Sequence, residues 1–321
     1  MKRLFPALAG LAAAICGIST AAGSRESDPA VASRIELGRR LFYEADLSIN
    51  GTMSCATCHE QKHGFADGNR THPGALDDPG RRNVPGLANV GRFARLTWAD
   101  PALTSLEAQI AVPVFGEHPV EMGMKGHEAD IPARLGHDAC YVRMFRQAFP
   151  EGDGRISYDN VARAIAAFER SLVSRNAPYD RFVGGDAEVI SPNARTGLTI
   201  FRNTCASCHA GPDLTDTAYH RIVPAHGASG NDAGLSEVTG NSADDHKFRT
   251  PGLRNLGVTA PYLHDGSAES VADAIRAHDD FATLPEADLD ALAVFLDTLT
   301  DRDFLTDPRF ALPAQACGQP L

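Results

Sequence analysis

The sequence predicts a mainly α chain built as two similar domains, and three observations predict it. The run Cys55-Ala56-Thr57-Cys58-His59 returns as Cys205-Ala206-Ser207-Cys208-His209, so each half carries one C-x-x-C-H signature. Each copy is introduced by the same pattern, Gly-x-x-x-Phe, at Gly38 to Phe42 and at Gly197 to Phe201, and each half closes on an amphipathic helical pattern. No stretch sustains the apolar–polar alternation of a half-buried strand, and the connections are long and rich in Gly and Pro.

The chain opens with Lys2 and Arg3, followed by an Ala/Leu-rich apolar run from Leu4 to Ala22. This is the layout of an export signal, and the small residues Ala21, Ala22 and Gly23 suit cleavage. Residues 1–23 are therefore read as a signal peptide and the mature protein as periplasmic. Ile15 is too bulky to precede a lipid-modified Cys16. No other run approaches the ~20 apolar residues that span a bilayer. A chain of 321 residues with 43% hydrophobic and 22% charged residues is ordinary for a soluble globular protein of about two domains. The balance of 30 Lys+Arg against 41 Asp+Glu, net −11, argues against nucleic acid or anionic lipid as a partner.

The first domain is assigned to residues 30–175. Ile35, Leu37, Leu41 and Phe42 recur at roughly helical spacing and lead into the first motif. Two cysteines three apart with histidine directly after them form the signature of covalent c-type haem attachment. The sulfurs bond the porphyrin vinyl groups, and the histidine is held below the iron. Paired C-x-x-C zinc sites sit about 15–20 residues apart, and a redox dithiol has no need of the histidine. Two complete copies in an exported chain therefore specify two haems, with Cys55, Cys58 and His59 holding one and Cys205, Cys208 and His209 the other. Val161, Ile165, Phe168 and Leu172 share the core face of the helix that closes this domain.

Asn176-Ala177-Pro178 and Gly184-Gly185 mark a linker. In the second domain, residues 186–305, Gly197, Leu198, Ile200 and Phe201 lead into Cys205, and Leu289, Leu292, Phe295, Leu296 and Leu299 form the closing face. Residues 306–321 remain as a C-terminal tail. The plan in each half is that of cytochrome c: a helix, the haem motif, loops over the haem, a closing helix. Outside the signal peptide and the motifs only Cys140 and Cys317 are left. An oxidising compartment permits a disulfide between them, but the sequence does not show that they meet.

The order of motifs resembles the bacterial di-haem cytochrome c peroxidase and MauG superfamily over nearly the whole mature chain. The matching stretches are both C-x-x-C-H copies, Arg82-Asn83-Val84-Pro85, Trp98, Gln109, Pro119-Val120-Glu121-Met122, Thr250-Pro251-Gly252-Leu253-Arg254-Asn255 and Ala260-Pro261-Tyr262-Leu263-His264-Asp265-Gly266. Within it, Leu96-Thr97-Trp98-Ala99 and the run from Val112 to Glu121 look most like the methanobactin-associated di-haem enzymes, which resemble MauG in oxidising a tryptophan of a partner protein.

The resemblance implies roles. Glu121 occupies the position above the first iron where a carboxylate moves the proton that peroxide cleavage requires, with Gln109 beside it as a polar positioning group. An acid in a Pro-containing loop is otherwise a solvated surface group. Trp98, the single tryptophan, falls between the haems as an electron relay. The classical peroxidases place a methionine downstream of the His-Asp-Gly turn, and the matching residue here is His278. No methionine follows Met144, so the second iron is expected between His209 and His278, with His264 or Tyr262 as fallback. Met/His ligation raises a haem potential. Two imidazoles lower it, which suits a haem that stores an oxidising equivalent. His63 and His72 are read as loop or propionate contacts, leaving the first iron open. A calcium ion is implied between the domains, with Asn83 and the carbonyls of Thr259 and Pro261 as oxygen ligands.

The expected function is thus a periplasmic di-haem oxidoreductase that reacts with hydrogen peroxide and uses high-valent haem iron to oxidise a partner protein, plausibly at a tryptophan. The alternatives are a cytochrome c peroxidase fed by a small cytochrome and a non-enzymatic di-haem electron carrier.

Overall fold

The computed structural model describes residues 29–222, 232–278 and 281–320, so the expected signal segment lies outside the described residues. The first half contains α1 (Pro29–Phe42), the one-turn α2 (Cys55–Cys58), α3 (Leu106–Phe115), α4 (Asp130–Gly136), α5 (Ala139–Ala148) and α6 (Tyr158–Ser171). The second contains α7 (Pro178–Val183), α8 (Pro192–Thr204), α9 (Ser236–Thr239), α10 (Val271–Arg276), α11 (Glu286–Asp297) and α12 (Arg302–Thr306). Strands are limited, among the described residues, to two small antiparallel ribbons. These are β1 (Tyr219–Arg221) on β2 (Lys247–Arg249), with Tyr219 opposite Arg249, and β3 (Gln315–Ala316) on β4 (Gln319–Pro320). The chain is mainly α, as its patterning predicts.

The Gly-x-x-x-Phe repeat is a helix-crossing device. A Cβ on Gly38 would lie 1.8 Å from the carbonyl oxygen of Ala164 in α6, and one on Gly197 would lie 1.9 Å from that of Ala291 in α11. Four residues on, Phe42 packs against Phe168 at 5.2 Å and Phe201 against Phe295 at 5.1 Å. The glycine lets the backbones close, and the phenylalanine one turn later fills the groove this opens. Gly38→Ala is therefore expected to lose about 1–3 kcal/mol through overpacking, more than the up to ~1 kcal/mol of helix propensity that alanine gains. Denaturant midpoints of the haem-loaded protein check this, and an unchanged or raised midpoint goes against it.

The helices begin where the sequence supplies caps. Ser105, Ser157 and Ser191 each accept a hydrogen bond from the backbone N–H three residues on, opening α3, α6 and α8. One apolar core forms around α1, α3, α5 and α6, and a second around α8 and α11. Between them lies a buried polar knot. Asn89 Nδ2 donates to Ser174 O at 3.1 Å, Asn255 Nδ2 donates to Ser174 Oγ at 3.1 Å, and Ser174 Oγ donates to Asp301 at 3.1 Å.

Two features go beyond the sequence reading. The linker contains α7, whose Tyr179 packs edge-on to Phe295 at 5.5 Å, against the second core. After α11 the chain returns to the first half: Phe304 meets Phe65 at 5.7 Å, Tyr43 donates to Phe310 O at 2.8 Å, and Cys140 and Cys317 form a disulfide. The pairing that the sequence left open thus ties the tail to α5.

Candidate haem sites

Both motif histidines are oriented by the same device. His59 Nδ1 lies 2.6 Å from Phe65 O, and His209 Nδ1 lies 3.1 Å from Leu214 O. A carbonyl can only accept, so Nδ1 carries the hydrogen and Nε2 keeps the lone pair that binds a metal. Phe65 and Leu214 reach this position with φ of +64° and +55°, left-handed values rare outside glycine. Burial lowers the basicity of both rings, His209 to about 4, which keeps them neutral and ready to ligate. The following loops also repeat. Pro85-Gly86-Leu87-Ala88-Asn89 and Pro251-Gly252-Leu253-Arg254-Asn255 each end on a left-handed asparagine, at φ 61° and 63°, that opens a short 3₁₀ turn.

In the second half a cavity of about 560 Å³ is lined by Cys205, Cys208, His209, His278 and Leu296. His278 follows directly after α10 rather than lying in it, and its Nδ1 is held 2.9 Å from Ala274 O. Its ring centroid is 6.5 Å from that of His209. Two iron–nitrogen bonds of about 2 Å and about 1.1 Å from each nitrogen to its ring centre add to about 6.2 Å. The spacing thus fits one iron between the rings. The fallback residues are engaged elsewhere: His264 stacks on Phe248 at 3.6 Å, and the Tyr262 hydroxyl donates to Leu256 O at 2.8 Å.

The same cavity carries a residue that sequence reading did not single out. Arg249, 3% exposed, is hydrogen-bonded to the carbonyls of Thr97 at 3.3 Å and Thr250 at 3.1 Å. No carboxylate pairs with it among the described residues, and burial pulls its guanidinium down to about 10. A buried cation without a counterion is costly, and the carboxylates of a haem supply one. Nothing in Phe248-Arg249-Thr250 announces this.

Trp98 is buried at the junction. Its Nε1 donates to Asn83 O at 2.8 Å, and its own carbonyl accepts the Arg249 N–H at 2.9 Å. The structure thus sets Trp98 against the second cavity and beside the loop that leads to Pro85. Asn83, Thr259 and Pro261 line that cavity together. The Asn83 amide nitrogen donates to Asn69 O at 3.0 Å, so Oδ1 is the oxygen it would offer a hard cation.

On the first motif, Glu121 is held by its backbone. Val120 N–H donates to Asp78 at 2.8 Å, Ala75 N–H to Glu121 O at 2.6 Å, and Met122 N–H to Pro113 O at 2.9 Å. A Cβ on Gly74 would lie 1.8 Å from Val120 O, so this loop pair closes only over glycine. Burial pushes the Glu121 carboxyl above the ordinary carboxylate range, and His72 pulls it back in smaller measure. The Glu121 charge adds to burial in raising both the Cys55 and the Cys58 thiol, so the carboxyl lies within electrostatic reach of the motif. Gln109 is half-buried in α3, and its side chain makes no hydrogen bond among the described residues. His63 reaches Val258 O at 3.0 Å, a contact between the halves, and His72 donates to Pro73 O at 2.8 Å.

A family model described as di-haem cytochrome c peroxidase matches residues 32–188. The methylamine utilization protein MauG of Methylophilus methylotrophus is 34% identical over 255 residues, covering 78% of this chain and 73% of that protein. The cytochrome c551 peroxidase of Pseudomonas aeruginosa is 35% identical over 248 residues, covering 75% and 70%. Among solved structures, a MauG-like protein associated with microbial copper homeostasis superposes with a TM-score of 0.82 at 33% identity, covering 88% of this chain and 93% of that one.

Proposed function

Because the chain belongs to the di-haem cytochrome c peroxidase and MauG family, we propose that this haem-dependent, peroxidase-type oxidoreductase works in the periplasm. There it reacts with hydrogen peroxide at its first haem and oxidises a partner protein, at a tryptophan side chain, through its second. Bound haem supplies the iron at which peroxide is split and through which electrons move. The chain supplies the rest. His59 and His209 present neutral Nε2 atoms. Glu121 takes a proton from one peroxide oxygen and returns it to the other, with Gln109 beside it as a polar positioning group. Trp98 stands on the route between the halves, and Asn83, Thr259 and Pro261 hold a calcium ion beside it. No helix among the described residues is long and apolar enough to cross a membrane.

The observation that carries this reading is the asymmetry of the two sites. His278 faces His209 at 6.5 Å between ring centroids, and no such imidazole pair is seen at His59 among the described residues; the group we assign to the first site is the Glu121 carboxylate. A bis-imidazole second site favours stored oxidising equivalents over acceptance of electrons from a cytochrome, and the likeness to the copper-homeostasis structure points the same way. The peroxidase reading stays alive through the 35% identical Pseudomonas relative. Peroxide, the haem-loaded protein and a candidate partner separate the two readings. Mass spectrometry is expected to find an oxidised partner side chain. Rapid turnover with reduced cytochrome c and an unmodified partner overturns the proposal.

A further inference from the structure

The equivalent glycine crossings put α6 and α11 in register: Gly38 lies on Ala164 as Gly197 lies on Ala291, and Phe168 corresponds to Phe295. That register sets Glu169 at the position of Leu296. Leu296 lines the second haem cavity, as an apolar wall should. Its counterpart Glu169 is only 5% exposed, and its Oε2 has no hydrogen-bond partner among the described residues. Glu169 also acts electrostatically on Cys55, the first attachment cysteine, which places it at the first haem pocket.

The charged groups around it leave it unneutralised. Arg170, next in the chain, turns to a bidentate pair with Glu107 of α3 at 2.7 and 2.8 Å. From the 3₁₀ turn Val90–Arg92, Gly91 meets Arg170, and Arg92 pairs with Asp213. α1 presents Gly38 and Phe42 to α6, neither of which titrates. Glu121 bears on Cys55 more weakly than Glu169 does, and Cys55 itself ceases to titrate once it is a thioether. Burial pushes the Glu169 carboxyl up to about 8, with Arg170 lowering it and Glu107 raising it in smaller measure. An unpaired carboxylate in such a place is costly, so the group holds its proton unless a neighbouring positive charge offsets the loss.

We propose that Glu169 is a proton-holding residue of the first haem pocket, coupled to the electron count of that haem and without counterpart at the second. When an electron leaves that haem for an external oxidant, the Glu169 O–H bond breaks and the proton passes to solvent water. The carboxylate left behind offsets the positive charge gained. When an electron returns, one proton is taken up. The inference rests on the two-haem reading above but not on the identity of the substrate.

Spectroelectrochemical titration of the haem-loaded protein from neutral to alkaline pH tests it. The wild-type first-haem potential is expected to fall with pH, by up to about 59 mV for each tenfold drop in proton concentration, the one-electron, one-proton limit. E169Q and E169L, the second copying the other repeat, are expected to remove the Glu169 share of that slope and leave the second haem unchanged. Measuring both variants beside E121Q separates the share of Glu121. Infrared difference spectra of the wild type are expected to show a protonated-carboxyl band that responds to reduction of the first haem and vanishes in E169Q. A first-haem slope unaltered in both variants, an equal loss at both haems, or a wild type with no such band overturns the proposal. Each of these results is independent of which partner is oxidised.

Discussion

Glu121→Gln slows the reaction with peroxide by about 100-fold or more, the scale at which a positioned acid–base group acts, while both haem spectra stay those of the parent. Glutamine keeps the shape but cannot accept the proton. The loop needs nothing from the carboxylate, since the backbones of Val120, Glu121 and Met122 are tied to Asp78, Ala75 and Pro113. Burial raises the pKa of the carboxyl. To act as base it must be ionised, so the wild-type rate rises with pH through a midpoint above the ordinary value of about 4.3, and the variant lacks that limb. Stopped-flow traces across acidic to neutral pH read both effects. An unchanged rate removes Glu121 from the mechanism.

His278→Ala converts the second haem from low to high spin. The fallback groups are engaged elsewhere: His264 is stacked on Phe248, the Tyr262 hydroxyl is committed to Leu256 O, and no methionine follows Met144. The companion change His278→Met, which restores the ligand type of the classical peroxidases, raises the potential of that haem and leaves it low-spin. Magnetic circular dichroism distinguishes the three states. A bis-imidazole signature surviving in His278→Ala assigns the position to His264.

What could be read from the sequence is what lies close along it. The haem motifs are contiguous, and Gly38 with Phe42 and Gly197 with Phe201 are one turn apart, so their spacing already encodes the helix crossings. The sites completed through space were not legible. Cys140 and Cys317 meet across 177 residues, and Phe304 leaves the second half to finish the first core. The carbonyls that orient His59 and His209 come from Phe65 and Leu214, whose left-handed backbone has no residue signature because neither is glycine. Arg249 and Glu169 stand out only once burial shows that, among the described residues, no carboxylate pairs with the first and Oε2 of the second has no hydrogen-bond partner. Alignment of the two Pro-Gly-Leu-x-Asn stretches was the one unread clue: it extends the duplication past the motifs into the loops.

The division of labour between an open first haem and a closed second one is tested most directly by electron paramagnetic resonance of the resting diferric protein at neutral pH. Equal amounts of one high-spin and one low-spin iron are expected, since the second half sets His278 opposite its motif histidine and, among the described residues, no ring pair of that kind is made by His59. Two low-spin irons contradict that division, for a sixth ligand would then cover the site where peroxide must bind.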